Sequence, residues 1–418
     1  MNQSQENCLS VNHRLTHERW EGDFYAMLLY SYDFPVRKHR DFYQYGMLFL
    51  IFSRRRTGRI YFYLKMRGVK RMGQVRGNKA GLFIILNALL AAVIIISLGW
   101  GQISIPAQSL AGVIGKQLQI PGLRELAATP EQTAVVWHIR LPRTLVGLLV
   151  GAGLGVSGAV MQGVFGNPLA DPGIIGVASG AALGAVIAIM LGLTAISMFY
   201  MPLFALLGAL LAVSMTISLA MRQGKIPVMP LLLSGMAVSM FMTAMTSGFL
   251  TFMNEYRLRE FLFWMVGGLD YRRWEHVYLA AGPVIIGIVV LCILARHLNI
   301  LVLGDQEAKS VGVPVLPLRL LLIFVAAITT ATAVCVSGTI GFVGLVVPHI
   351  MRILIGPEHR TLLPACALTG ALFLVSCDTL GRLLIPPAEI RVGILTALVG
   401  APYFLYLLRR AYKGGGSL

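Results

Sequence analysis

Residues that could carry catalytic chemistry are few in this sequence, and they form no recognisable catalytic set. The histidines are scattered, and no HExxH motif occurs. Ser234 and Ser337 have no base within reach on one helix face. His349 follows Pro348 in an apolar stretch; we expect it to hydrogen-bond at a helix end, because a haem ligand needs a defined pocket. The sequence therefore predicts no catalytic residues.

Nucleotide and metal chemistry are also poorly supported. No GxxxxGK[ST] loop occurs, so the chain cannot easily hydrolyse ATP and must take energy from a partner or from a gradient. The cysteines form no CxxC pair, and most lie in apolar stretches, where cysteine behaves as a small hydrophobic residue. We predict no disulfide, no metal site and no cofactor.

Two polar segments interrupt the apolar sequence and are candidates for function. A short polar run lies between Gly304 and Gly312, with Pro314 just beyond, and glycine followed by proline ends a helix. A short helix of this kind suits docking to a soluble partner, although an ordinary connecting helix has the same pattern. The second segment, NPLADP at 167–172, predicts a turn in which Asn167 caps the backbone.

Arginines are the remaining groups with directed chemistry. Arg140 and Arg143 flank Pro142 just before an apolar helix rich in small residues, where arginine side chains can reach toward the membrane surface. Asp378 lies four residues before Arg382, so these two side chains can pair on one helix face.

The composition is that of a membrane protein. The chain has 418 residues, of which 56% are hydrophobic and 13% are charged, whereas soluble domains carry about 25% charged residues. The net charge is +17. Basic residues scattered at the ends of apolar stretches are expected of membrane proteins, and no folded basic domain is visible, so we exclude nucleic-acid binding.

We predict an all-α polytopic fold with about ten transmembrane helices. A span needs about 20 apolar residues. Small residues at spacing four, such as Gly147, Gly151 and Gly155, predict close helix packing. An even number of spans after a basic flank places both termini in the cytoplasm. The ten predicted spans are roughly 82–100, 143–163, 173–192, 197–220, 230–252, 277–296, 318–336, 340–355, 362–382 and 391–409.

Three regions differ in character. Residues 1–80 are basic and aromatic, without a stretch long enough to span a membrane. We expect this extension to be disordered or to reflect a translation start further along, at Met66 or Met72; a functional cytoplasmic or membrane-surface extension is the alternative. Residues 81–412 form the predicted permease domain, and residues 413–418 a short tail.

The chain resembles the permease subunits of ABC importers for iron siderophores, haem and cobalamin, the FecCD type. The resemblance covers about 82–411, and the matching motifs occur in one order along the chain. They are RLPR at 140–143, SGAVMQGVFGNPLADPGIIG at 157–176, LLLSGMA at 231–237, FWMVGGL at 263–269, GDQEAKSVGVP at 304–314, SGTIGFVGLVVPHIMR at 337–352 and HRTLLP at 359–364.

The resemblance implies a type II importer permease that works as a homodimer with two ATPase subunits and an extracytoplasmic binding protein. It also implies roles for particular residues. The binding protein would dock on Arg140, Arg143 and Arg382; the ATPase would couple through Gly304, Asp305, Glu307, Lys309 and Gly312; the cytoplasmic gate would contain Asn167, Leu169, Val228 and Met229. The last two replace a Thr-Ser pair of the cobalamin-type chain, which predicts an apolar constriction.

We therefore predict a permease in the cytoplasmic membrane for an iron chelate, either a ferric siderophore or haem. A cobalamin permease of the same family is one alternative. A gradient-driven secondary transporter is another, but it would need ionisable residues inside the spans, and Asp378 is the only clear candidate.

Overall fold

A computed structural model describes residues 25–29, 47–54, 60–67, 79–101, 103–222 and 225–413. The chain divides into two compact units, one comprising Met1–Gln74 with Leu408–Leu418 and the other Val75–Leu407. Each unit is described by itself.

The smaller unit contains a three-stranded antiparallel sheet in the order β1-β2-β3. Its strands are β1 (Tyr25–Leu29), β2 (Met47–Arg54) and β3 (Ile60–Arg67). Most of residues 1–80 lie outside the described residues, as does the tail after Lys413. The expectation that this extension is disordered or reflects a later start stays a prediction.

The elements named in the described residues of the larger unit are all helices. The final helix continues past its boundary into residues assigned to the smaller unit. The helices are α1 (Lys79–Gly99), α2 (Ala107–Gln117), α3 (Pro130–Ala134), α4 (Leu141–Phe165), α5 (Val177–Met190), α6 (Tyr200–Ala220), α7 (Val228–Thr251), α8 (Glu255–Val266), α9 (Trp274–Ile293), α10 (Ala295–Leu301), α11 (Asp305–Ser310), α12 (Val315–Ser337), α13 (Val343–Ile355), α14 (His359–Leu383) and α15 (Val392–Lys413).

Ten apolar helices correspond to the ten predicted spans. Seven are long and apolar enough to cross a membrane among the described residues: α1, the continuous α3–α4 segment, α6, α7, α9, α12 and α14. The other three, α5, α13 and the apolar part of α15, are shorter. The prediction of an all-α polytopic membrane protein is confirmed.

Helix α4 lies at the centre of the bundle and is mostly buried, as is α12, whereas few residues of α1 and α7 are buried. The predicted glycine ridge explains how neighbours approach α4. A Cβ added at Gly151 would collide with the carbonyl oxygen of Gly370 on α14, and one added at Gly155 with that of Cys366. Two backbones in such contact leave no room for side chains, as expected for helices packed inside lipid.

The bundle has two ends, and each end gathers a distinct set of polar residues. Helix α12 is 23 residues long, so its two ends lie about 35 Å apart. The carbonyl oxygen of Ser337, its last residue, accepts a 2.8 Å hydrogen bond from Gly268 in the loop before α9. Arg319, the fifth residue of α12, therefore lies toward the opposite end of the bundle.

Candidate functional site

Arg140 closes the end of α1. It is the last residue of a π-helical stretch, Val135–Arg140, that joins α3 to α4. Its guanidinium donates hydrogen bonds to the carbonyl oxygens of Leu98 (2.8 Å), Gly99 (3.0 Å) and Ile103. The last carbonyls of a helix have no partner inside it, so the buried arginine supplies the missing donors.

Arg143 is the centre of a buried ionic network. Its guanidinium forms a bidentate pair with Asp378 of α14, with nitrogen–oxygen distances of 2.8 to 3.1 Å. It also reaches Glu389 at 2.8 Å and Asp270 at 3.1 Å. Three carboxylates from separate parts of the chain therefore share one planar donor fork, which is the geometry that favours arginine over lysine.

Arg382 extends this network to α1. It lies 3.4 Å from Asp378 on the same helix face, so the predicted pair forms. It also donates to the hydroxyl of Ser97 at 2.8 Å and to the carbonyl oxygen of Ser97 at 3.2 Å. The Ser97 hydroxyl lies 2.8 Å from that of Thr144 on α4. Helices α1, α4 and α14 are thus joined by hydrogen bonds at one level.

We call the set Arg140, Arg143, Asp270, Asp378, Arg382 and Glu389 the arginine face. The three arginines predicted to dock a binding protein lie together here, but each is buried and each has internal partners. Direct docking through their guanidinium groups would have to replace those partners, and that role stays a prediction. Asp270 and Glu389 were missed in the sequence, because no local spacing links them to Arg143.

The two loop carboxylates of the arginine face, Asp270 and Glu389, have pKa values shifted in opposite directions. Burial raises the pKa of Asp270, and the nearby Arg143 and Arg391 only partly oppose it. Burial would also raise the pKa of Glu389, but the attraction of Arg143 outweighs it and holds that pKa below its usual value. Glu389 therefore stays ionised as a partner of Arg143 in mildly acidic conditions.

The predicted short polar helix is confirmed as α11. Gly304 precedes it with a φ of 131°, a left-handed value that favours glycine, and Gly312 follows it with a φ of 79°. Ala308 is buried beneath the helix, whereas Glu307 and Lys309 are exposed. Helix α11 therefore presents both signs of charge outward on an anchored turn.

Asp305, the first residue of α11, forms an ion pair with the neighbouring helix α12. Its carboxylate binds Arg319 of α12, with a shortest distance of 2.6 Å. We call the set Asp305, Glu307, Lys309 and Arg319 the coupling face. Arg319 had no predicted role, since a basic residue at the start of a span is ordinary.

We call the turn at 167–172 the gate turn, because it contains the predicted gate residues Asn167 and Leu169. The Asn167 side chain accepts a hydrogen bond from the backbone nitrogen of Leu169 at 2.9 Å, so the predicted capping is present. Leu169 lines a small apolar hollow with His349 of α13 and Tyr403 of α15. The rings of His349 and Tyr403 meet edge to face, with centroids 6.1 Å apart.

Val228 and Met229 are the first two residues of α7. Met229 is 68% exposed, whereas Val228 packs partly against the core. A Cβ added at Gly235, two turns further along α7, would collide with the carbonyl oxygen of Ile174, just after the gate turn. Helix α7 therefore packs against the segment that follows the gate turn, while the gating role of Val228 and Met229 stays a prediction.

These features define a multi-pass membrane protein with polar groups gathered at its two ends. The FecCD transport family matches residues 89–410. The cobalamin import system permease BtuC of Halobacterium salinarum is 44% identical over 309 residues, covering 74% of this chain and 80% of the relative. The hemin transport system permease HmuU of Yersinia pestis is 43% identical over 282 residues, covering 66% and 84%.

Two further similarities extend along almost all of the compared chains. The ABC transporter permease YvrB of Bacillus subtilis, whose function is uncharacterised, is 37% identical and covers 82% of this chain and 98% of its own. A solved structure of an ABC transporter assigned to the metal-chelate type, in an inward-facing conformation, aligns with a TM-score of 0.70 and 35% identity, covering 79% and 99%.

The chain belongs to the FecCD transport family. It is the permease of an ABC importer with the type II fold, and a non-catalytic transport component. This decides against the gradient-driven alternative. The homologues carry hemin or cobalamin by name.

Proposed function

We propose that this permease carries an iron chelate, haem or a ferric siderophore, across the cytoplasmic membrane. The observation that carries the proposal is an apolar stripe on α7 that begins at the predicted gate. Met229, Leu233, Met236 and Met240 recur at helical spacing and are 68%, 63%, 57% and 73% exposed. Methionine is flexible and polarisable, so such a stripe suits passage of a large, weakly polar ligand that must not bind tightly.

The proposed orientation places the arginine face outside and the coupling face in the cytoplasm, with both termini cytoplasmic. Two copies of the chain would pair, so that substrate crosses between them. A loaded binding protein would dock on the outer surface around Arg140, Arg143 and Arg382. ATPase subunits would engage α11, where Glu307 and Lys309 are free to form charged contacts.

In this scheme ATP binding closes the ATPase pair and moves α11. The two halves of the dimer then exchange between two packings, which is a rigid-body change biased by nucleotide. Leu169 and Met229 would narrow the cytoplasmic end of the path. The apolar gate distinguishes this chain from the Thr-Ser gate of the cobalamin-type permease.

A cobalamin substrate is the second candidate, because the archaeal cobalamin permease is 44% identical. The deciding experiment is uptake of labelled haem, ferric siderophore and cobalamin in a strain lacking this chain, with and without the gene restored. We expect restoration of iron-chelate uptake. Restoration of cobalamin uptake alone would identify the second candidate, and ATP-independent uptake would contradict both.

A further inference from the structure

Arg319 contacts both helix α11 and the segment that leads into α7. It is 8% exposed and is the fifth residue of α12. Its two terminal nitrogens grip the carboxylate of Asp305 at 2.6 and 3.3 Å. One of these nitrogens also donates to the carbonyl oxygen of Ile226 at 3.3 Å. The guanidinium of this α12 residue thus contacts two other elements, α11 and the segment that leads into α7.

The contact with the carbonyl oxygen of Ile226 is the informative one. Ile226 is buried and stands two residues before Val228, where α7 begins. Pro227 separates them, and proline restricts the backbone of the preceding residue, so the segment transmits displacement rather than absorbing it. A shift of the Ile226 carbonyl therefore moves the start of α7 and with it Met229.

We propose that Arg319 is a positioning residue that transmits movement of the coupling helix α11 to the gate residues at the start of α7. The inference rests on the proposed function, because it takes α11 as the ATPase contact and Met229 as part of the gate. It adds a physical link between them that neither the family's motifs nor the sequence indicates.

The chemistry of the junction favours a transmitting role over simple stabilisation. Asp305 is half exposed, with 53% of its side chain accessible, while the arginine side chain is only 10% accessible. The Arg319 Nε is buried without a hydrogen-bond partner. A buried guanidinium with an unused donor is costly, so an ion pair alone does not explain its placement. The planar fork, in contrast, fixes the distance between α11 and the Ile226 carbonyl.

The test uses the complete permease with the ATPase that co-purifies with it, in lipid vesicles. Met229→Cys reports on the gate and Gln306→Cys on α11, by their rates of reaction with a thiol probe with and without ATP and vanadate. With Arg319 present, we expect both rates to change several-fold on nucleotide binding. With Arg319→Met, we expect the change at residue 229 to fall below about twofold while that at residue 306 persists.

Two variants separate transmission from stability. Arg319→Lys keeps the charge but cannot hold two partners in a fixed fork. The exchange Asp305→Arg with Arg319→Asp restores an ion pair but removes the donor to Ile226. We expect both to lose the response at residue 229. The matched control, Arg259→Met, removes an exposed ion pair with Glu255 and should leave the response intact.

The outcomes distinguish this inference from the proposed function. If residue 229 does not respond to nucleotide even with Arg319 present, the gate and coupling assignments fail and the inference fails with them. If residue 229 responds to nucleotide equally in the complex with Arg319 and in the Arg319→Lys and exchange variants, the proposed function stands and the transmitting role of Arg319 is wrong. If the complex with Arg319→Met does not assemble, the complex with Arg319→Lys takes its place. The same change in labelling rate at residue 229 is then measured.

Discussion

The arginine face and the coupling face use the same ion-pair chemistry in opposite ways. At the arginine face, Arg143 and Asp378 are both almost completely buried, with side-chain exposures of 11% and 3%. At the coupling face, Asp305 is 53% exposed, and Glu307 and Lys309 point outward. One face satisfies its charges internally, whereas the other leaves charges available.

This difference indicates different duties for the two faces. A network with internal partners fixes helix positions, since α1, α4 and α14 meet there through Arg140, Arg143 and Arg382. A surface with unused charges can exchange partners rapidly and suits reversible contact with a soluble subunit. We infer that the arginine face shapes the outer docking surface, while α11 makes direct contact.

The largest effect should follow loss of the central arginine. Arg143→Met leaves Asp378 buried with only Arg382 as a cation partner, and breaking a buried pair costs about 3–5 kcal/mol. We expect much lower yield and a lower midpoint of thermal unfolding in detergent. The control is Arg259→Met, at an exposed pair. Equal midpoints for the two variants would break the comparison, since the buried network would then contribute no more than an exposed pair.

A smaller loss of stability should follow overpacking of the contact between α4 and α14. Gly151→Ala drives a methyl group into the carbonyl oxygen of Gly370, and overpacking costs about 1–3 kcal/mol. Gly248→Ala is the matched control, because an added Cβ at Gly248 has open space around it. We expect a lower unfolding midpoint for Gly151→Ala only. Loss of stability in both variants would show that helix packing is not the cause.

The two faces also differ in how far they could be predicted. The ten spans and α11 follow from local patterns, since apolar length and glycine with proline act over neighbouring residues. The pairing of Asp378 with Arg382 was accessible for the same reason. The partners Asp270 and Glu389 were not, because each lies more than a hundred residues from Arg143 and only folding brings them together. Arg319 was missed because its proposed role depends on a hydrogen bond to the backbone carbonyl oxygen of Ile226. A backbone contact of this kind leaves no pattern in the sequence.

Reversing the exposed charges of α11 tests the other side of the comparison. Glu307→Lys with Lys309→Glu leaves the buried contact of Ala308 and the Asp305–Arg319 pair in place. We expect intact membrane insertion and an unchanged unfolding midpoint, with ATPase affinity weaker by about tenfold, which is about 1.4 kcal/mol. Co-purification and binding titration measure it. Undiminished affinity would remove these residues from the docking surface.

The smallest effect should come from an exposed ion pair outside both faces. Lys79, at the start of α1, lies 3.3 Å from Glu358, just before α14, and the two side chains are 49% and 47% exposed. Because water screens such a pair, Lys79→Met should cost only about 0.2–1 kcal/mol. We expect an unfolding midpoint within a few degrees of that of the parent chain. The difference should be still smaller at high salt, because salt screens the pair. A loss as large as that of Arg143→Met would mean that exposure does not separate the two faces, and burial would no longer explain a larger contribution of the arginine face to stability.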